Sequence, residues 1–375
     1  MSKSERALEL AREAGFDLAG VAPLRAPRDA ERLREWLAAG RHAGLDWIAR
    51  DVERIADPTL AWPTGRSLLI VGLAHSRPPV ELEGGGRIAR YAAGRDYHNV
   101  MGRMLRKLRR ALIKEGLATE GGLARAGVDA LPLLERSHAA EAGLGFASKA
   151  ANLLHPSFGP WFFVGELILD VELEPTPRPP AGSCGTCRAC IDACPTEAIV
   201  APGVVDARRC ISYHTIESTQ AAPRELRAGF GAWAFGCDVC SQVCPWASKA
   251  PDLAERWGVH RAVEQGSLTD WLRLRDEAQV SERFEGSPLQ RPRRAGLARN
   301  AALALGAIAE HRADRELLDA LAFDDDASVR DAAAWSLART RGADPLVRSA
   351  LEAAQARETD AAAREQMRLN LDGAP

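Results

Sequence analysis

The sequence predicts an α/β first half, a compact cysteine-dense module and an all-helical tail. Three observations divide it this way. Apolar runs of strand length, at Ser67–Ala74 and from Trp161 to Leu173, interleave with helical patterns in the first 175 residues. All eight cysteines lie between residues 184 and 244. Beyond residue 251, an arginine followed by small helix-forming residues recurs, at Arg299-Asn300-Ala301-Ala302 and again 31 residues on at Arg330-Asp331-Ala332-Ala333. The expected units are 1–175, 176–250 and 251–375.

In chain order, Ala7, Leu8, Ala11 and Ala14 form one stripe of a helix over 4–14 that stops at Gly15. A second helix is expected over 29–39, ending at Gly40. S-L-L-I-V-G-L-A from Ser67 reads as a strand buried on both faces. A glycine-rich turn at 83–86 precedes a basic helix over 99–115, which carries Arg103, Arg106, Lys107, Arg109, Arg110 and Lys114. A helix over 133–142 and the strand from Trp161 complete the first unit. P-T-P-R-P-P from Pro175 reads as a stiff extended linker. The arginine-led repeats have the look of short HEAT-like helical pairs, whose stacked faces bind partners; a plain helical cap is the competing reading.

The cysteines carry the chemistry. C-G-T-C-R-A-C-I-D-A-C-P from Cys184 matches the bacterial-ferredoxin run C-x2-C-x2-C-x3-C-P at every fixed position. Cys210 and then C-D-V-C-S-Q-V-C-P from Cys237 supply four more thiols. Eight thiolates are enough for two 4Fe–4S clusters, so the middle unit is a two-cluster, bacterial-ferredoxin-like module. The fourth cysteine of such a run ligates the other cluster. The expected sets are Cys184, Cys187, Cys190 and Cys244 for one cluster, and Cys194, Cys210, Cys237 and Cys240 for the other. Zinc is the competing ligand of C-x2-C pairs, but it requires neither the three-step run nor the C-P endings. A disulfide framework belongs to small secreted domains, and 375 residues give ample length for hydrophobic cores.

Apolar content of 46%, charge of 27% and a net charge of −2 describe an ordinary globular chain, so any nucleic-acid-binding surface must be local. The N-terminal residues carry no signal-peptide core, and no apolar run is long enough to span a membrane. A cytoplasmic monomer is expected. No P-loop and no G-x-G-x-x-G between strand and helix is present, so neither an ATPase nor a Rossmann dinucleotide site has sequence support. Asp129 follows a short Gly-Val. It reads either as the cap of the next helix or as a desolvated general acid near a strand end.

R-Y-A-A-G-R-D-Y-H from Arg90, V-D-A-L-P-L-L-E-R from Val128, A-G-L-G-F-A-S-K from Ala142, G-P-W-F-F-V-G-E-L from Gly159, C-I-S-Y-H-T from Cys210 and F-E-G-S-P-L-Q-R-P-R-R from Phe284 occur in that order. With the cysteine runs they resemble the epoxyqueuosine reductases, cobalamin- and iron–sulfur-dependent tRNA-modifying enzymes related to corrinoid reductive dehalogenases. The resemblance covers nearly the whole chain. It implies an N-terminal cobalamin-binding catalytic domain and the reduction of epoxyqueuosine to queuosine at the tRNA wobble position, with electrons passing through the clusters to cobalamin. Asp129 matches the family's proton donor, and Arg54, Leu153, Ser212 and Asp238 fall where the family touches cobalamin. Arg136 falls at a tRNA contact, and Arg293 and Arg294, in a basic stretch that also includes Arg291 and Arg299, are candidates for the anticodon arm's phosphates. Trp161, Phe162 and Tyr213 are candidates for stacking on a splayed base. A small electron donor such as a ferredoxin or flavodoxin is implied. A corrinoid reductase of a small molecule, dehalogenase-like, is the alternative activity.

Overall fold

A computed structural model describes residues 1–176, 182–309 and 313–373. The core of the first half is a four-stranded sheet of β1 (Leu18–Pro23), β2 (Ser67–Ala74), β3 (Ala124–Gly127) and β4 (Phe162–Leu169), in the order β1-β2-β4-β3. Every pairing in it is antiparallel. All eight residues of β2 are buried, as its unbroken apolar run predicts. Alternate residues serve two cores. Leu69, Val71 and Leu73 join Phe163 and Leu167 under helices α1 (Lys3–Glu13) and α2 (Tyr97–Lys114). Leu68, Ile70 and Ile168 face helix α3 (Glu135–Glu141) with Leu133 and Ala139.

Local chemistry sets the helix ends. Ser2 and Glu5 form a reciprocal capping box at α1. Asp96 caps α2 by accepting from the His98 amide at 2.9 Å. The expected helix over 133–142 is the shorter α3, whose cap position is Leu134. Asp129 therefore lies well outside that helix and caps nothing there. The turn expected at 83–86 joins two short antiparallel strands, Val80–Glu81 and Arg87–Ile88, the second of which pairs with Trp233–Phe235. Of the linker expected over Pro175–Pro180, residues 177–180 lie outside the described residues.

The cysteine segment is built from two four-residue helices, Ala189–Asp192 and Val239–Gln242, set against each other. The last third is helical, with α4 (Arg293–Ile308), α5 (Asp314–Phe323), α6 (Ala327–Arg341), α7 (Pro345–Arg357) and α8 (Ala361–Leu371); α6 is central and packs on α4, α5, α7 and α8. One continuous core runs from Leu82 and Ile88 through Phe230, Trp233 and Phe235 to Leu297, Trp335 and Met367. Helical tail, cysteine segment and part of the first half thus share one interior.

Several arginines that read as surface charge point inward. Arg299 is 2% exposed and donates to the carbonyls of His214, Gln220 and Ser218 at 2.9, 2.9 and 3.0 Å. Arg294 forms a two-point pair with Asp324 at 2.7 and 3.0 Å, with its side chain 12% exposed. Arg294 is a tie inside the helical tail and Arg299 a tie from it to the segment after Cys210, so the charge of neither faces solvent. Arg291 is engaged by Glu217 at 2.8 Å. Arg293 is exposed and makes no ion pair among the described residues.

Candidate active site

Asp129 sits two residues past the end of β3, in a left-handed backbone conformation with φ 51°. That region disfavours side-chain-bearing residues and marks constrained sites. Its side chain is half exposed. The Tyr97 hydroxyl donates to Oδ2 of Asp129, and His98 Nε2 lies 3.9 Å from the same oxygen. The Tyr97 ring is clamped between Phe163 and His98, with ring centres 4.1 Å away on both sides. Burial, and then the Asp129 charge, push the Tyr97 phenol well above its ordinary pKa, so it stays a donor. His98 Nδ1 meets Asp96 at 2.9 Å, and this bond raises the imidazole's pKa.

Two more carboxyls stand behind Asp129. Glu166 on β4 pairs in register with Gly127 of β3, two residues before Asp129. It is 0% exposed, and neither oxygen has a hydrogen-bond partner among the described residues. Glu135, the first residue of α3, lies within hydrogen-bonding reach of Asp129. Burial first, and then the neighbouring carboxyls, hold Glu135 and Glu166 well above the ordinary carboxylic range.

The eight thiols fall into two groups of neighbours. Cys190 faces Cys184 and Cys244, and Cys244 faces Cys184 and Cys187. Cys210 faces Cys194; Cys237 faces Cys240 and Cys210; Cys240 faces Cys210 and Cys194. The first group lines a cavity of 40 Å³ that Cys240 also borders, so the two groups adjoin. The hairpin Phe146–Leu154 covers this cavity. Lys149 donates its amide to Cys184 Sγ at 3.4 Å and its ammonium to the carbonyls of Gly185 and Cys187 at 2.7 and 2.9 Å. Ser148 and Ala150, also on that hairpin, line the cavity.

Arg90 and Tyr91 link the thiols to Asp129. The Arg90 amide donates to Asp238, the residue after Cys237, at 2.8 Å. Burial raises the Asp238 carboxyl to about 6. Tyr91 lies in the field of both Asp129 and Asp238 and packs on Tyr97, Phe163 and Phe235. His75 sits beside Arg77 and Arg90, pushed down to about 3 by burial and so neutral. Leu153 is buried in the hairpin, and Ser212 is half-buried between Cys210 and Tyr213. Arg54 is exposed on the short helix Val52–Ala56, with Asp51 at 3.8 Å. Arg136 is exposed and bonds the Ala151 carbonyl at 3.4 Å, which ties it to the hairpin. Of the three stacking candidates, Trp161 and Phe162 are buried, and the Tyr213 hydroxyl is taken by the Gly44 amide at 2.9 Å. Sequence reasoning missed Tyr91, His75 and Glu166. The last had a visible signal, a lone acid inside an apolar strand run.

Residues 183–247 match the family model described as a 4Fe-4S double cluster binding domain. Thiols gathered around a cavity suit a cluster, and the fold and site define an iron–sulfur oxidoreductase with a carboxyl cluster in the same chain. Residues 56–130 match a second family model, "Epoxyqueuosine reductase QueG, DUF1730". The chain is 39% identical over 344 residues to the epoxyqueuosine reductase of Xanthomonas campestris pv. campestris, covering 88% of this chain and 94% of that one. It is 36% identical over 329 residues to that of Vibrio cholerae, covering 82% and 86%. This chain belongs to the epoxyqueuosine reductase family. A solved epoxyqueuosine reductase with an epoxyqueuosine-modified tRNA-Tyr stem loop superposes with a TM-score of 0.86 at 27% identity, covering 99% of this chain and 98% of that one. A Bacillus subtilis structure with its aspartate-bearing catalytic loop swung out of the active site gives the same TM-score and identity, covering 98% of each chain.

Proposed function

We propose that this protein reduces epoxyqueuosine in the anticodon of tRNA to queuosine, drawing electrons through two 4Fe–4S clusters and a bound corrin from a small donor such as a ferredoxin or flavodoxin. The observation that carries the reading is the placement of Asp129: one residue, Tyr91, stands in the field of both it and the cluster segment's Asp238. The cluster sets follow the two groups of neighbouring thiols: Cys184, Cys187, Cys190 and Cys244, then Cys194, Cys210, Cys237 and Cys240. The division into 1–175, 176–250 and a HEAT-like 251–375 is part of the same reading.

The donor set fits a corrin. The buried nitrogens His75 Nδ1, Arg77 Nε and Arg90 Nε have no hydrogen-bond partner among the described residues, and buried polar atoms normally have one. A macrocycle rimmed with amide carbonyls would supply acceptors. Leu153, Ser212, Asp238 and Arg54 would hold it, with Arg90 fixed by Asp238. When bound, the corrin supplies low-potential electrons at the epoxide-bearing ring. The protein's own part is acid chemistry and positioning. Asp129 protonates the departing oxygen, and Tyr97 and His98 orient its carboxyl. Arg136 and Arg293 hold tRNA phosphates.

The test is anaerobic incubation of the reconstituted protein with cobalamin, a strong reductant and epoxyqueuosine-bearing tRNA, with the nucleoside read by mass. Loss of one oxygen from the modified base is expected. Asp129→Asn should slow turnover by about 10²-fold or more. An unreacted nucleoside with the wild-type protein would refute the activity.

A further inference from the structure

Behind the proton donor lies a store of protons that a single carboxyl does not explain. Removing an epoxide oxygen takes two electrons and two protons. Two carbon–oxygen bonds break, a carbon–carbon double bond forms, and both protons leave on the same oxygen as water. The electrons come from the low-potential donor of the proposed function, on which this inference rests. Asp129 can give only one proton, so the second must come from another group.

Glu135 and Glu166 are placed to meet that need. Glu135 stands beside Asp129, and Glu166 lies behind both on β4, in register with Gly127. Glu166 is fully buried with both oxygens unpartnered. A buried carboxylate without a partner is costly, and a second one beside it costlier still, so the pair keeps at least one proton between them. The charged and titratable groups facing the three carboxyls are few. Arg136 is the cation near Glu135, but its head is turned to the Ala151 carbonyl. Tyr97 and His98, from α2, face Asp129, and Tyr91 lies in the field of the same carboxyl. Ionising all three acids would gather three negative charges against Arg136, whose head is turned away, and His98.

We infer that Glu135 and Glu166 hold a second transferable proton behind Asp129, which Glu135 passes to Asp129 once the first has gone to the substrate oxygen. In this arrangement Glu135 recharges the donor. Glu166 is a positioning residue that keeps Glu135 protonated.

The infrared spectrum of the folded, cluster-loaded protein tests this without corrin or tRNA. At neutral pH the wild type should show a protonated-carboxyl stretch that shifts in deuterium oxide and weakens in Glu166→Gln and in Glu135→Gln. In single turnover, Glu135→Gln should lose about 10²-fold in rate, Glu135→Asp should recover part of it, and Glu166→Gln should move the alkaline fall of the rate to lower pH. Circular dichroism and iron content confirm that each variant is folded. A wild type that turns over but lacks the band overturns the inference. So does a Glu135→Gln variant of undiminished rate, or one slowed by the same factor at every pH with no rescue by Asp. A wild type that shows the band yet never turns over overturns the proposed function instead.

Discussion

Replacing Arg299 with Met tests whether the helical tail is a grip for nucleic acid or a clamp on the cluster segment. The guanidinium makes three bonds, to His214, Gln220 and Ser218, all in the stretch that follows Cys210. Bonds from a charged donor contribute about 1.5 kcal/mol each or more. Burial drops the Arg299 pKa from 12.5 to about 10, and at about 1.4 kcal/mol per pKa unit this offsets some 3 kcal/mol of that gain. Met matches the aliphatic stem but offers no donor. The carbonyls of buried His214 and Ser218 are then stranded at about 1 kcal/mol or more each. The net expectation is a loss of about 3 kcal/mol. Urea unfolding followed in parallel by far-ultraviolet circular dichroism and by cluster absorbance reads it. Both midpoints should fall, and the absorbance should be lost first, because the released segment carries a cluster thiol. A loss below about 1 kcal/mol, or weakened tRNA binding at unchanged stability, would refute the clamp and return Arg299 to the surface.

Glu166→Gln should change how stability depends on pH. The native carboxyl titrates above its unfolded value, so from about pH 4.3 upward the unfolded chain releases a proton that the native one keeps, and stability falls as pH rises, by about 1.4 kcal/mol per unit until the raised native pKa is passed. Gln removes this group's slope, so denaturation at two pH values should find the variant gaining on the wild type as pH increases. Asp331→Ala strands the buried Arg227 guanidinium, bonded at 2.5 and 3.0 Å and 2% exposed, and should cost about 3–5 kcal/mol in urea denaturation. Arg293→Ala should weaken tRNA binding and lower the slope of log affinity against log salt by about 1. Arg294→Ala should lower unfolding stability and leave that slope unchanged, since its charge is spent on Asp324.

What could be read in the sequence follows from how local each constraint is. The cysteine framework was legible because cluster ligation fixes spacing within a few residues. Ser67–Ala74 was legible because a strand buried on both faces needs an unbroken apolar run. Strand Leu18–Pro23 was not, because its small residues and terminal proline carry no alternation. A close approach explains its Gly20: a Cβ there would meet the Ala142 carbonyl oxygen at 2.2 Å. The carboxyl cluster depends on β3 lying beside β4, a pairing across about forty residues that no local pattern records, although an acid between Gly165 and Leu167 announced that something polar was buried.

The arginines misread most readily have a common physical origin. Helix α4 is made largely of alanine, glycine and leucine, and every residue from Gly296 to Gly306 is buried. Small side chains let its neighbours close in from all sides: a Cβ at Gly306 would meet the Ser336 hydroxyl at 2.4 Å. A helix enclosed all round has no polar face on which to place a charge, so Arg299 and Asn300 must find partners inside. They find the free carbonyls of the irregular segment after Cys210, together with that of Ala234. Arg330, at the corresponding place in the next repeat, takes the Asp324 carbonyl and the buried Glu358 in the same way. In such a repeat, an arginine that leads a run of small residues inside an enclosed helix is a structural tie, and charge for a phosphate backbone has to come from positions such as Arg293, before the enclosure begins.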